Sequence, residues 1–185
     1  MIRIVHILNQ FFAGIGGEEK ADIAVAIADG AVGAARGLQA QLADRAQVIA
    51  TIYFGDNYFH EHKDDAIAAL LAELDKQHPD VVVAGPAFNA GRYGLACVEI
   101  CQIVSERLGL RCVTGMEPEN PGVSVYRDYH NEKVFLLPTA ESASGMARAL
   151  TALAPFACRL ANGEEFGPAA AEGYLPRGIR KLVRV

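Results

Sequence analysis

The alternation of short apolar runs with longer helical stretches constrains most strongly how this chain can fold. Five runs rich in β-branched residues predict strands at 2–8, 47–54, 81–84, 111–114 and 133–137. They are mostly apolar rather than alternating, which is typical of parallel strands covered on both faces. Helical patterns occupy 31–43, 63–77, 95–108 and 142–160. The sequence therefore predicts an α/β fold, a three-layer sandwich with a parallel five-stranded sheet.

Right-handed crossovers between such strands favour a flavodoxin-like or Rossmann-like sheet, and we expect the order 2-1-3-4-5. Ligands of these sheets bind at the carboxyl ends of the strands, near the switch point between strands 1 and 3. We expect residues 1–161 to form the α/β domain. Residues 162–185, with Gly, Pro and four basic residues, are expected to form an irregular C-terminal tail that packs on the domain or leads further.

Charge and apolar patterning exclude some classes of protein. The chain has 17 basic and 22 acidic residues, a net charge of −5, which argues against binding nucleic acid. It contains no apolar run long enough to span a membrane. Its first residues lack the small-residue cleavage site of a signal peptide, so we expect a cytoplasmic protein.

The cysteines and histidines do not form a redox or metal motif. None of the four cysteines belongs to a Cys-x-x-Cys pair, and small buried residues are the favoured interpretation: Cys97, Cys101, Cys112 and Cys158. Cys97 and Cys101 lie four residues apart on a predicted helix, which places them on its core face. His60 and His62 have no evident third ligand, so no metal site is expected.

The first candidate loop, residues 9–20 (NQFFAGIGGEEK), follows the first predicted strand. Its glycines resemble a phosphate-binding turn, but the G-x-G-x-x-G fingerprint fails because Glu19 stands where the last glycine should be. The carboxylates of Glu18 and Glu19 suit an amine or a charged partner surface better. The alternative is an ordinary helix N-terminus, whose dipole favours acidic residues.

The second candidate loop, residues 85–94 (GPAFNAGRYG), follows the third predicted strand. Its polar groups Asn89 and Arg92, next to Tyr93, could bind a carboxylate, which an Arg side chain can hold through two hydrogen bonds. Two alternatives remain open. Asn89 could be the N-cap of the next helix, and Arg92 could pair with a glutamate to hold the loops together.

The third candidate loop, residues 115–122 (GMEPENPG), follows the fourth predicted strand. Glu117 and Asn120, with Glu119, lie among prolines that stiffen the loop and disfavour a helix there. The loop could hold a cationic head group or could equally be a surface turn. Since all three loops follow parallel strands, we expect them to converge on one cleft.

These segments also carry a family resemblance. The runs HILNQFFAGIGGEEKADI, AGPAFNAGRYGLAC, TGMEPENPG and GYLPRGIRK resemble the beta subunit of component B, selenoprotein B, of glycine, sarcosine and betaine reductases. The resemblance extends over essentially the whole chain and does not single out one substrate. It implies a component of a complex that removes the amino group of a small amine reductively. The family uses a selenocysteine and, in some members, a pyruvoyl group on a partner subunit.

The resemblance carries over only in part. Beta subunits of the family are much longer, and their selenocysteine and neighbouring cysteines have no counterpart before Val185. We therefore assign no catalytic residue and no cofactor to this chain, and we expect the isolated chain to be inactive. The expected substrate-binding residues are Glu18, Glu19, Asn89, Arg92, Tyr93, Glu117 and Asn120.

Three hypotheses for function follow. The chain is the substrate-side domain of a reductase component, working with a pyruvoyl-type alpha subunit, a selenoprotein A-like carrier and a small amine. Alternatively, it is a non-catalytic binding or assembly subunit that docks through residues 9–20 and the basic tail. Fold analogy alone would allow a flavin or nucleotide protein, against which the missing phosphate fingerprint counts. A homo-oligomer is left open.

Overall fold

A computed structural model describes residues 1–178 and places a six-stranded sheet at the centre of the molecule. The strands are β1 (Ile2–Asn9), β2 (Ala26–Asp29), β3 (Ala46–Phe54), β4 (Val81–Ala84), β5 (Cys112–Met116) and β6 (Val134–Pro138). Their order is β2-β3-β1-β4-β5-β6. All neighbouring strands are parallel except β2, which runs antiparallel to β3.

The predicted α/β class is confirmed, but a sheet of only five strands was wrong. The five predicted strands are β1, β3, β4, β5 and β6, and they are parallel in the expected order. The additional strand, β2, is the short segment AIAD at the edge of the sheet. Its extended state comes from pairing with residues 50–53 of β3 rather than from a β-branched run of its own.

Seven α-helices surround the sheet in the described part of the chain. They are α1 (Ala34–Leu42), α2 (Asp56–Glu61), α3 (Lys63–Gln77), α4 (Gly91–Leu108), α5 (Pro121–Tyr129), α6 (Met146–Ala161) and α7 (Ala169–Glu172). The four predicted helices correspond to α1, α3, α4 and α6. The last begins at Met146, after a 3₁₀ turn at Ala143–Gly145, rather than at residue 142.

Helix α5 occupies a position where the sequence predicted no helix. Its first residue is Pro121, and the side chain of Asn120 caps it by accepting a hydrogen bond from the Gly122 amide at 3.0 Å. Proline is compatible with the first helical position, because the amide hydrogen that it lacks would have no partner there. The prolines that were expected to disfavour a helix therefore include the residue that starts one.

The core lies on both faces of the sheet, so the structure has three layers. On β1, Val5 and Ile7 face a cluster that includes residues of α3, α4 and α5. Ile4 and Leu8 face the opposite cluster, formed with α1 and α6. Among the helices of residues 1–178, none combines the length and the apolar character needed to cross a bilayer.

All four cysteines are free and buried, which confirms their interpretation as core residues. Burial raises the pKa of the Cys97 thiol well above its ordinary value. A hydrogen bond with Cys112, together with burial, does the same for the pKa of Cys101. These thiols therefore stay protonated at neutral pH and are poor nucleophiles.

The segment after α6 packs against the domain as far as the structure describes it. The Phe166 ring lies 4.7 Å from that of Phe156 and 5.0 Å from that of Phe135, measured between centroids. The guanidinium of Arg177 lies over the Phe135 ring at 4.5 Å. The rest of the predicted C-terminal tail, residues 179–185, lies outside the described residues.

Candidate functional site

An open cleft of about 460 Å³ lies at the carboxyl ends of the strands. It is lined by residues 9–12, 17–18, 56, 87–90 and 142–143, which follow β1, β3, β4 and β6. The cleft lies beside the boundary between β1 and β4. The connections that leave these two strands cross opposite faces of the sheet. Parallel sheets bind their ligands at such a switch point.

Two buried amide side chains form the floor of the cleft. Asn9 and Gln10 are 3% and 2% exposed. The Asn9 side chain accepts a hydrogen bond from the Phe12 amide at 2.9 Å and donates one to Asp56 Oδ2 at 3.0 Å. The Gln10 Oε1 atom accepts a hydrogen bond from the Asp56 amide at 3.1 Å. The end of β1 is thereby joined to the start of α2.

Asp56 is the cleft residue that sequence analysis missed. Its Oδ1 atom is buried and has no hydrogen-bond partner among residues 1–178. Burial raises the pKa of this carboxyl, while the charge of Arg92 and the side chains of Asn9 and Gln10 oppose the rise. Its position directly after Gly55, where β3 ends beside β1, was the available signal. In the sequence analysis, the segment after the second predicted strand is considered only for a metal site at His60 and His62.

His6 anchors the loop that follows β4. The imidazole is fully buried, and its Nε2 atom lies 2.6 Å from the Gly85 carbonyl oxygen, so Nε2 donates the hydrogen bond. Burial lowers the pKa of His6 from 6.5 to about 4. The ring is therefore neutral at physiological pH, and it ties β1 to the loop that lines the cleft.

Glu18, Asn89 and Arg92 meet around the mouth of the cleft. Glu18 and Asn89 line it. Arg92, in the first turn of α4, donates a hydrogen bond from Nη2 to Glu18 Oε1 at 2.9 Å and another from Nη1 to Asn57. Both partners of the ion pair are substantially exposed. The alternative in which Arg92 pairs with a loop glutamate is thus the arrangement seen.

Asn89 does not cap the following helix. The residue before α4 is Ala90, and no side chain makes a capping hydrogen bond there. Asn89 is exposed, and within residues 1–178 its side chain has no hydrogen-bond partner. Its amide is therefore available to a ligand.

Tyr93 and Asn120 lie beneath the loops rather than on the surface of the cleft. The buried Tyr93 hydroxyl donates to the Ile7 carbonyl at 2.9 Å. The Asn120 amide nitrogen donates to the carbonyls of Phe88 at 2.9 Å and Ala90 at 3.1 Å. Both side chains connect segments that are far apart in the chain.

Glu19 and Glu117 make hydrogen bonds within their own loops. Glu19 accepts from the Gly17 amide at 2.9 Å, a bond that lowers the pKa of the carboxyl. Glu117 accepts from the Glu119 amide at 2.7 Å, and its own amide donates to the Phe88 carbonyl at 2.9 Å. The third loop therefore contacts the second, but Glu117 is not among the residues that line the cleft.

Aromatic rings form the apolar side of the cleft. Phe12 lies between Phe11 and Phe88, with centroid distances of 5.2 Å and 5.8 Å. Phe11 is 59% exposed and Ile15 is 39% exposed, which is unusual for large apolar side chains. Within residues 1–178, no three His, Cys, Asp or Glu side chains are grouped as a metal ion would require.

Comparison with known proteins defines the class to which this fold and cleft belong. A family model described as glycine/sarcosine/betaine reductase selenoprotein B matches residues 1–185, so the chain belongs to that family. No solved structure matches the chain.

The individual relatives are named for three different reductases. Glycine reductase complex component B subunit gamma of Peptoclostridium litorale is 48% identical over 179 residues. Sarcosine and betaine reductase complex component B subunits beta, both of Peptoclostridium acidaminophilum, are 45% identical over 179 residues and 41% identical over 180. Each alignment covers 97% of this chain and 40% of the relative, so the chain spans well under half the length of these relatives.

Proposed function

We propose that this chain provides the substrate-side α/β domain of a component B subunit, within a complex that reductively deaminates a small amine such as glycine, sarcosine or betaine. The observation that carries the proposal is the cleft at the switch point, which holds polar side chains among apolar ones, in a chain that matches the selenoprotein B family throughout. A cleft of about 460 Å³ is ample for a molecule of this size.

The expected binding residues divide into two groups. Glu18, Asn89 and Arg92, at the mouth of the cleft, contact the substrate or the water around it. Tyr93 and Asn120 position the loops through their buried hydrogen bonds. Glu19 and Glu117 do not line the cleft, and they contribute negative charge at the end of the sheet where the cleft lies.

The redox chemistry comes from elsewhere in the complex. The cysteines of this chain are buried, and burial raises the pKa of Cys97 and of Cys158. None is suited to attack carbon as a thiolate. We therefore assign the nucleophile and any pyruvoyl group to other parts of a cytoplasmic assembly that includes a pyruvoyl-type alpha subunit and a selenoprotein A-like carrier.

A second candidate function is that of a non-catalytic assembly subunit. It is favoured by Phe11 and Ile15, whose exposed side chains lie on the loop after β1. Exposed apolar groups of this size are typical of protein contacts. In this case the loop binds a partner subunit and the cleft binds no amine.

A reconstitution experiment separates the two candidates. The chain is combined with the alpha-type subunit, a selenocysteine-containing part of component B that lacks this domain, and the carrier. Ammonia release from glycine, sarcosine and betaine is then measured with a dithiol donor. Substrate-side function predicts that an added Arg92→Ala chain supports less turnover than the wild-type chain, with unchanged co-purification. Assembly function predicts that Phe11→Ser abolishes co-purification while cleft variants have no effect on turnover.

A further inference from the structure

The acidic side chains around the cleft differ in whether their oxygens already have partners. Glu18 is paired with Arg92 at 2.9 Å, and the Glu19 and Glu117 carboxylates accept backbone hydrogen bonds at 2.9 Å and 2.7 Å. These three are occupied by the protein itself. Asp56 differs from them, because its Oδ1 atom is buried and has no partner in the described part of the chain.

An unpaired buried carboxylate oxygen is costly, and native structures rarely leave one without a reason. The other oxygen of Asp56 is fixed by Asn9 at 3.0 Å, and its amide is fixed by Gln10 at 3.1 Å. The carboxylate is therefore held in one orientation. Arg92, the cation whose charge acts on Asp56, donates its hydrogen bonds to Glu18 and Asn57 instead.

Gln10 lies beside this acceptor. The side chain is 2% exposed and lines the cleft, and its Oε1 atom is taken by the Asp56 amide. The Gln10 side chain also acts on the Asp56 carboxyl, whose pKa it lowers. The cleft thus holds one unpaired acceptor, Asp56 Oδ1, within a network of buried amide groups.

We propose that Asp56 binds the cationic nitrogen of the substrate through an N–H···O hydrogen bond. This inference rests on the proposed function and specifies the substrate class. The preferred ligand is an α-amino acid whose ammonium group keeps at least one N–H. Glycine and sarcosine meet this requirement, and the trimethylammonium group of betaine does not.

The chemistry of the nitrogen decides the preference. Only an N–H can satisfy the free oxygen of Asp56, and a hydrogen bond between charged groups is about twice as strong as a neutral one. A quaternary ammonium would be held mainly over aromatic faces. The rings of Phe11, Phe12 and Phe88 provide such faces, so a preference for betaine is the contrary outcome.

Calorimetric titration of the 185-residue chain with glycine, sarcosine and betaine tests the proposal. We expect wild type to bind glycine and sarcosine at least about 10-fold more tightly than betaine. Asp56→Asn should weaken glycine binding by about 10- to 100-fold, the loss expected for one charged hydrogen bond. Asp22→Asn makes the same chemical change at an exposed site and should leave affinity unchanged.

A measurement on the wild-type chain tests the same assignment without a variant that could misfold. Carbon-13 NMR of the Asp56 carboxyl should show its apparent pKa falling when glycine saturates the chain, since a bound cation favours the ionised form. An unchanged pKa at saturation contradicts the assignment.

The outcomes separate this inference from the proposed function. If wild type and Asp56→Asn bind glycine equally well, Asp56 does not contact the substrate, but the substrate-side function stands. If the chain binds betaine more tightly than glycine, the inference is wrong in the same way, and the substrate-side function again stands. If wild type binds none of the three amines, both the inference and the substrate-side function fail.

Discussion

Acidification should weaken the fold through His6, which connects β1 to the loop lining the cleft. In the folded chain the ring is buried and neutral, and its pKa is lowered from 6.5 to about 4 by burial. The unfolded chain therefore takes up a proton at a higher pH than the folded chain. Stability is unaffected by His6 above pH 6.5 and is lost progressively as pH falls from about 6.5 to about 4.

The size of the loss follows from the change in pKa. A fall from 6.5 to about 4 corresponds to about 3 kcal/mol, at about 1.4 kcal/mol for each tenfold change in proton affinity. Domains of this size are stable by only about 5–15 kcal/mol, so the loss is a large fraction of the total. Protonation also places a charge on a ring whose Nδ1 atom has no partner in the described residues.

Urea unfolding, followed by circular dichroism at several pH values between 7 and 4, measures this loss. His6→Gln keeps a side-chain N–H donor but cannot take up the proton, and His60→Gln is the matched control at an exposed histidine. Carboxyl groups contribute equally to all three chains and cancel in the comparison. Wild type and His60→Gln should each lose about 3 kcal/mol more than His6→Gln over this range. Equal losses in all three would refute the assignment of a buried neutral His6.

Three further predictions concern the loops and the chemistry. Arg92→Ala should weaken amine binding in the assembled complex by about 1.5–3 kcal/mol. It should cost less than about 1 kcal/mol of stability, because its ion pair is exposed. Unchanged affinity with a lower melting temperature would show that Arg92 only holds the loops together. Gly94→Ala should lower the free energy of unfolding in urea by about 1–3 kcal/mol, because the added Cβ would overlap the Asn120 amide. The control Gly167→Ala has open space around it and should lower this free energy little. Equal stability of the two variants would contradict the packing described for Gly94. The isolated chain should release neither ammonia nor acetyl phosphate from glycine, sarcosine or betaine with a dithiol donor, and turnover would reveal a nucleophile that burial of the thiols argues against.

The sequence predicted the parallel strands because their apolar runs are a direct consequence of burial on both faces. It did not predict β2, whose four residues are extended only because β3 offers them an edge. It placed a loop where α5 begins, because proline was treated as a helix breaker rather than as a first helical residue. These errors arise where tertiary pairing or helix capping, rather than local pattern, decides the backbone.

The candidate site was predictable in place but not in detail. Strand ends correctly located the loops that carry Glu18 and Asn89. The role of Tyr93 depends on a hydrogen bond to Ile7, a residue 86 positions earlier in the chain, which no local pattern reveals. Asp56 was missed because an aspartate after a glycine resembles an ordinary turn, and only the packing of Asn9 and Gln10 around it shows that one oxygen is buried without a partner.

The central claim is that this chain carries the amine-binding site. Mapping of backbone amide NMR shifts in the ¹⁵N-labelled chain during titration with glycine and sarcosine tests it most directly. The account predicts saturable shifts confined to the loops around the cleft, at residues 9–12, 56, 87–90 and 142–143, and little change at the opposite end of the sheet. The absence of any saturable shift with glycine, sarcosine or betaine, or shifts centred away from the cleft, would contradict it.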